Sequence, residues 1–122
     1  MSQRISPQRI RLKRAYEVPS PDDGRRILVD RLWPRGVKKS DAAIDEWMRE
    51  LAPSAELRKW FAHDPARWEE FRHRFRSELH QRSDELSKLR ALARDSRVTL
   101  VYAARDEAHN DAVVLRDVLL GR

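Results

Sequence analysis

The stretch Ile27–Gly36, ILVDRLWPRG, decides how the chain is read. Ile27, Leu28 and Val29 form an apolar run suited to a short strand buried on both faces. Asp30, Arg31 and Arg35 follow within six residues, and they must reach solvent, one another or a ligand, because unpaired buried charge costs several kcal/mol. Pro34 fixes one torsion and pushes Trp33 out of the helical region, while Gly36 permits a left-handed turn. The spacing predicts a buried strand that empties into a stiff, charged loop.

The same design recurs at Val98–Ala104, VTLVYAA, which runs into Arg105 and Asp106. A helix is predicted next, from Glu107 to Leu120, with Ala108, Ala112, Leu115 and Leu119 on one stripe. About 60 residues of predicted helix separate the two strands, and a crossover that long makes them parallel. Their carboxyl ends then share one edge, where open α/β sheets place ligands. On that edge Asp30, Arg31 and Arg35 are expected beside Arg105 and Asp106.

Upstream, Arg9–Lys13 alternates, with Ile10 and Leu12 on one side and Arg9, Arg11 and Lys13 on the other, as a half-exposed strand does. The turn cluster Pro19–Gly24 links it to Ile27 and permits either relative direction. Residues 1 to 8 read as a frayed basic tail. Between the buried strands, Ile44, Trp47, Met48 and Leu51 fall at helical spacing, with Ser40 as cap and Pro53 as stop. Further helices are predicted around Leu57, Trp60 and Phe61 behind Ser54; around Trp68, Phe71, Phe75 and Leu79 behind Asp64 and Pro65; and around Leu86, Leu89, Leu92 and Ala93 behind Ser83 or Asp84. Asp45 with Arg49, Glu70 with Arg74 and Glu78 with Arg82 read as solvated i,i+4 pairs. The expected fold is a single α/β domain over residues 1–122, a small, mostly parallel sheet of about three strands covered by about five helices.

Composition narrows the function classes. With 40% hydrophobic and 38% charged residues the chain is that of a globular protein with a heavily charged surface. No apolar run approaches membrane-spanning length and the opening residues lack an apolar signal core, so the expected location is the cytoplasm. Cysteine is absent, which excludes disulfides, thiolate catalysis and sulfur-ligated zinc. Residues 1–39 carry 11 Lys or Arg against 4 Asp or Glu, so the whole formal excess of +6 lies in the first third. A localised basic region attracts phosphates, acidic ligands or nucleic acid.

Arg31 and Arg35 offer forked donors to phosphate or carboxylate, Trp33 can cover a planar group, and Asp30 can orient an arginine or act as a base. Arg105, Asp106 and Asn110 extend the candidate site from the second strand end, and the amides opening the Glu107 helix add partial positive charge. The competing structural reading pairs Asp30 with Arg31 or Arg105 and makes Trp33 a core plug. His63 and His109 read as surface or capping histidines. No metal-ligand spacing, nucleophile triad or glycine-rich phosphate loop is present, and the sequence leaves the cofactor unknown. The leading reading is binding of, or action on, a small anionic, phosphorylated or nucleotide-like ligand. The alternatives are a nucleic-acid module using Arg9, Arg11 and Lys13, or a non-catalytic interaction domain.

The run DGRRILVDRLWPRG from Asp23 to Gly36, with Asp45, Trp47, Pro53, Ser54, Leu57, Arg58, Phe75–Leu79, Thr99–Tyr102 and Asn110–Leu115, resembles the YeaO-like bacterial family, a domain of unknown function. The resemblance runs from about Ile10 to Leu119. It implies a compact cytoplasmic bacterial domain and supplies no reaction. Asn110 fits the family pattern, as a site residue or a local turn former, whereas members differ at the positions of Arg105 and Asp106.

Overall fold

Four strands, β1 (Ile10–Arg14), β2 (Arg25–Leu28), β3 (Glu46–Trp47) and β4 (Val98–Tyr102), form one sheet in the order β1-β4-β2-β3 in a computed structural model that describes residues 4–122. Every neighbouring pair is parallel, with Ile10 opposite Val98 and Ile27 opposite Leu100. The helices are α1 (Lys39–Ala42), α2 (Ala55–Phe61), α3 (Trp68–His80), α4 (Ser83–Asp95) and α5 (Asp111–Leu119). The fold is thus α/β with a parallel sheet, and β2 and β4 are direct neighbours, so the two charged loops leave the same edge side by side. None of the helices among the described residues is long and apolar enough to cross a membrane.

Side-chain alternation divides the core. Ile10, Ile27, Val98 and Leu100 face a large cluster with Phe61, Phe71, Phe75, Leu79, Leu89 and Leu115. Leu28 and Val101 face the other way, onto Ala15 with Trp33, Ile44 and Trp47. All five β4 residues are buried, as a central parallel strand requires.

The amino edge of the sheet is stapled by charge. Asp23, fully buried, accepts from both Lys13 Nζ (3.1 Å) and Arg26 Nη1 (2.8 Å), and from the Ser20 amide (2.9 Å). Its carbonyl accepts from Thr99 Oγ1 at 2.7 Å, which ties the turn to β4. Burial pushes the Asp23 carboxyl up, but the Ser20 amide and the two cations outweigh it and hold it below the ordinary carboxylate value. Gly24 follows with φ +64°, and a Cβ there would lie 2.2 Å from the Arg97 carbonyl oxygen, so only glycine fits.

Several sequence expectations need correction. The helix predicted from Ser40 to Leu51 is absent: α1 ends after one turn at left-handed Ala43 (φ 50°), and the chain then extends as edge strand β3. Backbone pairing accounts for this, because the Asp45 and Met48 amides donate to the carbonyls of Arg26 and Leu28, both at 2.9 Å. Ile44, Trp47 and Met48 mimic helical spacing, yet Met48 enters the large cluster while Ile44 and Trp47 enter the small one. Of the presumed surface pairs, Glu70–Arg74 forms, but the Asp45 carboxylate accepts from the Arg26 amide (2.7 Å) and Glu78 accepts from both the amide and hydroxyl of Ser54. The last helix starts at Asp111 rather than Glu107, because Asn110 is its cap and accepts from the Val113 amide. Helix α4 has no side-chain cap from Ser83 or Asp84. In the tail read as frayed, residues 1–3 lie outside the described residues, while Ile5 is buried and Pro7–Arg9 forms a 3-10 turn held by Arg116 through the Pro7 and Ile10 carbonyls.

Candidate functional site

Because β2 and β4 end together, the loops after them flank a cavity of about 580 Å³. Residues 30–35 line one side and 103–106 with Asn110 and Asp111 the other. Phe61 and Phe71 supply an apolar wall from the helices, and Tyr16 and Leu32 stand exposed at the edge. Asp30, Arg31, Trp33, Arg35, Arg105, Asp106 and Asn110, the residues singled out in the sequence, all contribute to this lining.

Their surroundings differ. Asp30 Oδ2 accepts from the Ala103 amide at 2.9 Å, which joins the two strand ends directly. Its carbonyl accepts from Trp47 Nε1 at 2.7 Å. The Asp30 carboxyl lines the cavity together with that of Asp111 and has no arginine ion-pair partner among the described residues, contrary to the structural reading that paired it with Arg31 or Arg105. Burial raises the Asp30 carboxyl above its ordinary value; burial and then the Asp30 charge raise Asp111 well above. The Asp30 charge thus disfavours ionisation of Asp111. His63 approaches Asp30 from the loop after α2, on two successive left-handed residues, Ala62 (φ 48°) and His63 (φ 57°).

Trp33 donates Nε1–H to the Val37 carbonyl (2.7 Å) and packs edge-on to Trp47, with centroids 5.6 Å apart, so its loop is braced internally. Arg31 Nε donates to the Pro53 carbonyl at 3.2 Å, and Tyr16 hydroxyl to the Arg35 carbonyl at 3.0 Å. Arg31, Arg35, Arg58 and Arg105 line the cavity, and none of their guanidiniums pairs with a carboxylate among the described residues.

Asp106 and Asn110 are occupied locally. Asp106 accepts from the Ala108 and His109 amides and bonds His109 Nδ1 at 2.9 Å; the His109 side chain first, then the Ala108 amide, holds its carboxyl below the ordinary value. Asn110 donates to the Asp106 carbonyl (2.9 Å) while capping α5, the turn-forming role left open for it. Within α5 the Ala112 amide donates to Asp111 Oδ1 at 3.0 Å and the Val113 amide to Asn110 Oδ1 at 3.1 Å. These two amides are not free to bind an anion.

Sequence reasoning missed Asp111 and Arg58. The signal for Asp111 was present: it directly follows the residue that caps α5, and that position faces the sheet edge once the helix start is placed correctly. The basic residues assigned to the first strand are largely committed. Arg9 donates to the Ala93 and Arg94 carbonyls, Arg11 to the Asp22 carbonyl, and Lys13 to Asp23.

A family model described as the inactive DUF488-N3 subclade matches residues 9–122. The chain belongs to this family. Among curated proteins, uncharacterised proteins of Mycobacterium tuberculosis and Mycobacterium bovis are each 47% identical over 118 residues, covering 97% of this chain and 99% of theirs. The uncharacterised protein YeaO of Escherichia coli is 46% identical over 110 residues, covering 90% of this chain and 96% of its own. The resemblance to the YeaO-like family read from the DRLWPRG block is therefore a true membership. No solved structure matches the chain.

Proposed function

We propose that the protein captures a small anionic molecule, phosphorylated or nucleotide-like, in the cavity at the carboxyl edge of its sheet. One observation carries this reading: Arg31, Arg35, Arg58 and Arg105 line a single concavity without a carboxylate partner among the described residues. Forked guanidiniums suit phosphate and carboxylate oxygens, and a partly enclosed site strengthens each charge-assisted bond. The apolar wall from Phe61 and Phe71 gives a non-polar part of the ligand somewhere to lie. Because the subclade is described as inactive, the reading is capture without turnover, with Asp30 a lining contact rather than a base. The nucleic-acid alternative draws on Arg9, Arg11 and Lys13, which already serve backbone carbonyls and Asp23.

A thermal-shift screen against nucleotides, sugar phosphates and oligonucleotides tests the reading. A ligand at about 100 times its Kd adds about 2.7 kcal/mol to a folded state that alone binds it. Protection by a small phosphate that disappears in Arg35→Ala supports capture; protection by oligonucleotides alone overturns it.

A further inference from the structure

Among the described residues the one large aromatic side chain left exposed is Tyr16, at 49%, and it lines the edge of the cavity. An exposed ring ordinarily keeps its rotamer freedom, yet this one is held at two points. Its hydroxyl donates to the Arg35 carbonyl at 3.0 Å, and the Arg14 guanidinium lies 5.1 Å from the ring centroid. Arg14 is itself fixed just past β4, where it donates to the Ala104 carbonyl at 2.8 Å and the Ala103 carbonyl at 3.3 Å. No other ring and no second cation packs on Tyr16 among the described residues. The cavity therefore has at its edge an aromatic surface that is already immobilised and still open.

We infer that the cavity selects anions that carry a planar aromatic ring, a nucleoside monophosphate above a sugar phosphate, with the base stacked on Tyr16 and the phosphate on the arginines. This deepens the capture reading and rests on it. Bases stack on aromatic side chains whatever their identity, because each presents a π-face, and a ring held in advance loses little freedom when the ligand arrives. The inner wall favours the same class. Phe61 and Phe71 line it with their rings stacked 4.3 Å apart, and neither side chain can accept from or donate to a sugar hydroxyl. A hydroxyl laid there gives up water without a replacement, whereas a base gains apolar contact. At about 580 Å³ the cavity also falls in the range of sites that enclose whole small molecules, well beyond what a bare phosphate fills.

Adenosine monophosphate and ribose 5-phosphate share phosphate and pentose and differ in a base against a hydroxyl, so calorimetric titration of the full chain with both tests the idea. The inference predicts a Kd at least about tenfold lower for the nucleotide, which lies within what one stacked base contributes. Tyr16→Phe keeps the ring and loses the bond to Arg35, and it retains most of the preference. Tyr16→Ala removes the ring, and its nucleotide Kd rises toward that of ribose 5-phosphate, which itself stays unchanged. Equal Kd values for the two compounds in the parent overturn the inference and leave anion capture standing. A preference that survives Tyr16→Ala, or that falls equally in both variants, overturns stacking on Tyr16. Binding of neither compound removes capture itself, and the inference with it.

Discussion

Replacing Asp23 by alanine is expected to cost more stability than any change in the cavity. Asp23 is fully buried and accepts from Lys13, Arg26 and the Ser20 amide at 2.8 to 3.1 Å. Arg26 is only 3% exposed, and its Nη2 is already without a partner, so removal of Asp23 strands a buried guanidinium held by the Ala42 carbonyl alone. Breaking a buried pair from one side costs about 3 to 5 kcal/mol, against roughly 5 to 15 for a whole domain. For a chain of this size that is a fall on the order of 10 to 20 °C in Tm. Urea unfolding followed by circular dichroism measures it, with parent and variant compared at equal slope. The double variant Asp23→Leu, Arg26→Met should recover part of the loss, because it removes the buried guanidinium with its partner and leaves only Lys13, whose side chain is 17% exposed, to turn to solvent. A loss below about 1 kcal/mol, in the range of an exposed ion pair, would refute the claim that this network staples the amino edge.

The remaining predictions concern backbone, protons and strain. Gly24→Ala should destabilise by at least about 2 kcal/mol, since the added Cβ meets the Arg97 carbonyl and φ is positive; a melt shift within error would contradict that contact. Two opposite pH limbs are expected from the carboxyls. Asp23 is lowered, so its stabilisation is present above the unfolded value of about 3.9 and is lost as pH falls through its folded value. Asp30 and Asp111 are raised, so stability falls as pH climbs from about 3.9 through their folded values; Asp111→Asn should remove the Asp111 share of that upper limb and leave the share that burial of Asp30 produces, giving a variant more stable than the parent at neutral pH, with the gap closing toward acid, as melts across pH will show. His63→Gly relieves a left-handed residue and should raise stability by about 0.5 to 1 kcal/mol in the same unfolding assay.

What could be read from the chain depended on whether the deciding forces were local. Two apolar runs ending in charge, at Ile27 and Val98, mark buried strands, and chain length between them fixes parallel direction, so the sheet edge and its charged loops were legible. Pro34 and Gly36 identified the stiff loop for the same local reason, and Gly36 does adopt φ +79°. Segment Ser40–Leu51 was misread because its spacing satisfies a helix as well as a two-faced edge strand, and pairing with β2, a non-local term, decides between them. The start of α5 was misplaced by four residues because Asp106 gathers the Ala108 and His109 amides into a turn before Asn110 caps. That shift hid Asp111, and with it the carboxyl pair. Buried Asp23 was read as part of a turn, since nothing in PDDG reveals that Lys13 and Arg26 converge on it.

The central claim is that the carboxyl edge of the sheet, rather than the basic strand face, receives an anion. Backbone amide shifts of the isotope-labelled protein, followed while glucose 6-phosphate or a nucleoside monophosphate is added, test it most directly. The account predicts saturable shifts concentrated at residues 30–36 and 103–111. Shifts confined to residues 9–14, or none in either region with any small phosphate, would contradict it.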